Sequence, residues 1–137
     1  MRSMIAPLLL SLPVLVLPLH GAPAHAQPVS PCKWTTHGGD HRDFTCTLVA
    51  TGKEQTYRFR TMYSGGHDDT RARMEMMLDG RPLVCAEGSK LSLFGEDGDI
   101  SLECRFSITA SAGSRPVLGV VVIWHHAQYT GFELLAD

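Results

Sequence analysis

Apolar and polar side chains alternate one by one along most of this chain. Phe44, Cys46, Leu48 and Ala50 alternate with Thr45, Thr47 and Val49. Tyr57, Phe59, Thr61 and Tyr63 alternate with Arg58, Arg60 and Met62. Ala72, Met74, Met76 and Leu78 alternate with Arg71, Arg73, Glu75 and Met77. Ile100, Leu102, Cys104, Phe106 and Ile108 alternate with Ser101, Glu103, Arg105 and Ser107. A period of two puts one set on a core and the other in water, as in half-buried antiparallel strands. The run 117–124 is apolar at both parities. It predicts a central strand covered on both faces, or a strand at an interface. Residues 131–135 predict a last strand.

Turn chemistry orders these strands. Asp79-Gly80 lies between alternating runs and suits a two-residue type I′ hairpin. That register sets Leu78 opposite Arg81, Met76 opposite Leu83 and Met74 opposite Cys85. Pro82 then has no N–H to give a partner, which places it on an edge strand. Asp97-Gly98 suggests a second hairpin, with Leu93 opposite Leu102, Leu91 opposite Cys104, and Phe94 on the outer face. No internal repeat or long helical period interrupts the pattern. The expected fold is all-β: a small two-sheet antiparallel sandwich, immunoglobulin-like or jelly-roll-like, spanning 32–137.

Cysteines add a covalent frame. Cys32, Cys46, Cys85 and Cys104 form an even set without any C-x-x-C spacing. Two disulfides are the first reading, with zinc-ribbon and thioredoxin chemistry unsupported. The pairing Cys32–Cys46 and Cys85–Cys104 closes two short segments. The rival pairs Cys46 with Cys104 and leaves Cys32 for Cys85.

The start of the chain changes the expected compartment. Arg2, the apolar run 4–19, and small residues at Ala24 and Ala26 have the layout of a secretory signal peptide cut after Ala26. Residues 27–31 contain two prolines and predict an irregular arm. The expected location is the periplasm or the medium. The chain has no Asn, and its nine Arg outnumber its three Lys, biases that suit a GC-rich bacterial gene. A formal charge of −2 offers no basic surplus for nucleic acid or anionic lipid. The leader is too short and too rich in proline for a membrane span.

Candidate chemistry is sparse. Asp68 and Asp69, with Glu96, Asp97 and Asp99, supply carboxylates on two loops, the hard oxygen ligands that calcium takes. Acidic residues are also ordinary at turns, where Asp bonds its own backbone. His37, Asp40 and His41, with His67, form the best imidazole set for zinc or copper. His125 and His126 are neighbours in a predicted strand, so their rings are expected on opposite faces. Met74 and Met76 share a parity with Ala72 and Leu78, which makes them core rather than copper ligands. Pro82, Phe94, Trp124 and Tyr129 are the candidate interface residues. No G-x-S-x-G and no H-E-x-x-H occurs, and oxidised cysteines offer no thiolate. The expectation is an exported, non-catalytic binding module for a protein, peptide or glycan. The alternatives are a calcium-dependent ligand binder and a periplasmic transition-metal binder. Oligomeric state is open.

Overall fold

A computed structural model describes residues 32–137. The predicted signal peptide and the 27–31 arm lie outside the described residues. Nine strands form two antiparallel sheets and no helix is present among these residues. β1 (Lys33–Thr36), β2 (His41–Thr47), β8 (Val117–His125), β4 (Arg71–Leu78) and β5 (Arg81–Pro82) lie side by side in the larger sheet. β6 (Ser92–Phe94) also pairs with β4. The smaller sheet has β3 (Gln55–Gly65) between β7 (Gly98–Ile108) and β9 (Ala127–Ala136). The sandwich is as expected from the alternation.

The core falls where period two places it. Phe44 and Cys46 on β2, Ala72, Met74 and Met76 on β4, and Leu102, Cys104, Phe106 and Ile108 on β7 are all buried. Phe44, Phe59 and Phe132 pack ring to ring across the two layers, at 4.7 Å between Phe44 and Phe132. Outward positions carry charge: Arg60 donates to Glu103 at 2.9 Å across the β3–β7 ladder. β8 is central, as expected, but it is not covered on both faces. Leu118, Val120, Val122 and Trp124 are buried, whereas Val117 is exposed and Val121 and Ile123 are half-buried. Its second apolar parity lies on the outer face of the larger sheet.

Both disulfides pair as expected, Cys32–Cys46 and Cys85–Cys104. Such bridges belong to proteins that mature in oxidising compartments. The Asp79-Gly80 turn is also as expected. Asp79 at φ 51° and Gly80 at φ 77° give the left-handed pair that a type I′ turn requires. Arg81 opposes Leu78, Leu83 N–H donates to Met76 C=O, and β5 with Pro82 is an edge strand.

Two register expectations fail. Met74 does not meet Cys85: its N–H donates to Leu91 C=O at 2.8 Å. After Leu83 the chain leaves β4, because Cys85 is bonded to Cys104 in the other sheet. Asp97-Gly98 is no hairpin either. β6 pairs with β4, setting Leu93 opposite Ala72, and Gly98 opens β7 opposite Gly65. Only Gly98 of that dipeptide has a positive φ, so a type I′ turn is absent. Lys90 bridges Glu103 instead, two places out of the expected register. β1 carries no period-two apolar signal, since Trp34 is its one apolar residue and all four residues are exposed.

Burial has a titratable consequence at Tyr63. Its hydroxyl donates to Thr61 at 3.0 Å, and both residues are buried. Burial pushes its ionisation from 10.0 up to about 12, with the Thr61 bond opposing in part. In the unfolded chain the phenol ionises near its ordinary value, so stability present below pH 10 is lost as pH rises towards 12. The loss is expected to be on the order of 2 kcal/mol. Urea unfolding across pH 8–12 checks it: Tyr63→Phe should flatten the alkaline decline, and an unchanged slope would remove Tyr63 as its cause.

Candidate metal centre

Strand register gathers several loops at one end of the sandwich. His41 at the start of β2 opposes Ile123 near the end of β8. Arg71 at the start of β4 opposes His125. Gly65, ending β3, opposes both Gly98 of β7 and Ala127 of β9. The 37–40, 66–70 and 95–97 loops and the His126 turn therefore share that end. All five histidines of the described residues sit there.

The 64–70 and 95–99 loops meet. Gly95 N–H donates to Thr70 C=O at 2.7 Å. A Cβ on Gly65 would stand 2.7 Å from Glu96 C=O, so glycine is needed for this close approach. Their carboxylates, however, do not assemble. Glu96 turns to Lys90, with both oxygens 2.6 Å from Nζ. Asp99 opposes Ser64 on β3 rather than Glu96, because the Asp97-Gly98 hairpin does not form. Among the described residues, only one group of three donors lies within 4.8 Å of one another: His67, Asp69 and His126. It holds one carboxylate, not a cage of oxygens.

This group is built from two turns. His126, between β8 and β9, has a left-handed φ of 48°, uncommon for a residue with a side chain. That rotation breaks the strand alternation, so the rings of His125 and His126 do not face opposite ways. Their centroids are 3.9 Å apart. His126 Nδ1 lies 2.6 Å from Asp69 Oδ1, and His125 Nε2 lies 3.7 Å from Asp69 Oδ2. The His67 ring stands 5.0 Å from that of His126. The hydrogen bond from His126 holds the Asp69 carboxyl below its ordinary range, with desolvation opposing it.

Thr70 fixes the two turns to each other. It is completely buried. Its hydroxyl accepts from His67 N–H at 3.1 Å and donates to His126 C=O at 2.8 Å. The loop is closed again by Thr70 N–H donating to His67 C=O at 3.0 Å. The backbones of two candidate ligands therefore share one oxygen atom.

The expected set of His37, Asp40, His41 and His67 is divided. His37 and His41 share the carboxylate of Asp43, at 2.8 and 2.9 Å, not that of Asp40. Asp40 contributes its backbone carbonyl, which accepts from Trp124 N–H at 2.9 Å. His67 joins Asp69 and His126 instead. Asp43 was legible, being two places from His41 on the same strand face. His126 was not, because the sequence does not show a left-handed φ.

The interface candidates also divide. Pro82 is exposed and Phe94 is 70% exposed. Trp124 is not a surface residue: at 6% exposure it stacks on Tyr129 at 5.3 Å. Tyr129 is half-buried, with the Arg42 guanidinium 4.2 Å from its ring centre. Trp124 was drawn inward because its parity on β8 is that of Val120 and Val122.

A shallow open cleft of about 370 Å³ lies beside the three donors, lined by Ser64, Gly66, His67, His126, Ala127 and Gln128. Chemically, two imidazoles and an ionised carboxylate suit a borderline late first-row divalent ion. A tetrahedral zinc ion would hold its nitrogen and oxygen donors about 3.3 Å apart. The Nδ1–Oδ1 spacing of 2.6 Å must widen by less than an ångström to reach that. The fold and site define a disulfide-braced β-sandwich with an imidazole–carboxylate cluster at one end. No family model matches the chain, and no curated protein was found to match it. No helix among the described residues is long and apolar enough to cross a membrane.

Proposed function

We propose that the chain is an exported, non-catalytic binding module, and that the ligand at its loop end is a divalent transition-metal ion. The observation that carries this reading is the convergence of His67, Asp69 and His126 within 4.8 Å, from turns far apart in sequence. The two disulfides and the leader-like 1–26 segment support a periplasmic or secreted location. Exposed Phe94, beside the same end, favours recognition of a protein, peptide or glycan there as a second reading.

Isothermal titration of the purified full-domain protein with zinc and with copper(II) tests the metal reading. One ion per chain is expected, with millimolar calcium leaving uptake unchanged. Asp69→Ala and His126→Ala should each weaken it at least about tenfold, since even outer-shell losses cost that much. A His37→Ala, His41→Ala double variant should bind as the parent does. Equal uptake by the parent and Asp69→Ala would end the proposal.

A further inference from the structure

We infer that His125 is a further ligand of this centre, so that three imidazoles and one carboxylate close around the ion. The inference rests on the metal reading above and adds the fourth donor.

Three features point to it, the second following from the first. The first is strain. Among the described residues, Asp79 and His126 are the non-glycine residues with positive φ. Asp79 sits in a type I′ turn that demands the conformation. His126 holds a conformation that glycine would adopt without steric cost. Backbone outliers of this kind collect where the local geometry serves a site. The second is the result of that strain. A continued strand would send the two rings apart; here they lie 3.9 Å apart with an angle of 31° between them. The third is the shared carboxylate. Asp69 offers Oδ1 to His126 and turns Oδ2 towards His125 Nε2 at 3.7 Å. His125 is also opposite Arg71, next in sequence to the buried Thr70, so its backbone is held by the β4–β8 ladder. His125 lies outside the group of three donors within 4.8 Å of one another, so the inference requires its half-buried side chain to turn from 3.7 Å towards the ion.

A donor set of three imidazole nitrogens and one carboxylate oxygen selects zinc or copper over calcium and magnesium, which take oxygen. It also fills four positions, as in a closed tetrahedral site rather than one that keeps a water.

Pulsed electron paramagnetic resonance on the copper(II)-loaded full domain counts the imidazoles. The parent should show three coordinated nitrogens and His125→Ala two, with zinc affinity lowered about tenfold or more. Zinc affinity of His126→Gly should fall likewise while its urea midpoint holds or rises, because glycine relieves the strained backbone. A parent with two nitrogens, and a His125→Ala variant unchanged in count and affinity, would overturn the inference and leave the metal reading standing. A parent that takes up no copper or zinc would remove both.

Discussion

Thr70→Val is expected to weaken zinc binding by about tenfold or more, by analogy with lost outer-shell partners. It should also destabilise the fold by about 2–4 kcal/mol, as two backbone groups lose their partner. Valine keeps the shape of threonine, so packing beside Gly65 survives. What disappears is the oxygen that accepts from His67 N–H and donates to His126 C=O. Stripped of it, the 66–70 loop and the β8–β9 turn are no longer held at one distance. Their side chains must then be ordered by the ion itself, which costs binding free energy. Thr70→Ser keeps the hydroxyl and should recover most of the affinity. Competition titration against a zinc chelator, beside urea unfolding of the metal-free variants, separates the two effects. Valine and serine variants of equal zinc affinity would show that Thr70 serves stability alone.

Loss of the Cys85–Cys104 bridge is the second large effect. On the chain-entropy account, closing a loop of this length contributes about 3 kcal/mol. The Cys32–Cys46 bridge closes a segment of similar length, so entropy alone predicts nearly equal losses. The structures around them differ. Cys32 precedes β1, whose ladder with β2 already holds Lys33 opposite Thr45. Cys85 lies in the 83–91 stretch, which leaves the edge of the larger sheet and reaches the smaller one. That stretch is tied to β7 by Ala86 N–H on Arg105 C=O and by the Lys90–Glu103 pair. It also delivers β6 to β4. Cys85→Ala with Cys104→Ala should therefore lower the urea-unfolding free energy more than Cys32→Ala with Cys46→Ala. The reverse order would show that the ladder does not protect the first bridge.

Much of the fold was legible because burial in a sheet has a period that sequence displays. Phe44, Met74, Leu102 and Trp124 all lie inward on the parity their neighbours predict. The Asp79-Gly80 turn was legible because two successive left-handed residues demand those types. Asp97-Gly98 shows where that inference stops. The same dipeptide chemistry fits a hairpin, but β6 finds a better edge on β4, and the Cys85 bridge has already taken the chain to β7. Competition between two possible strand partners is settled by the whole sandwich, not by four turn residues.

The candidate centre was legible only in pieces. Asp69 and His67 were both singled out, for different metals. His126 was set aside on the strand rule that neighbouring rings point apart. That rule failed at one dihedral angle. Asp43 lay within reach of the same rule and would have replaced Asp40 as the partner of His41.

Read alone, the residue order determined a layered all-β chain, its inward faces and its first hairpin, and left two sulfur pairings between which the structure chose. The first three depend on local geometry and on period two. Tertiary structure alone decided that Asp69 and His126, 57 places apart, meet at 2.6 Å. The cause is non-local: β3 and β8 end where β4 and β9 begin only when both sheets are stacked, and one buried hydroxyl then pins their turns.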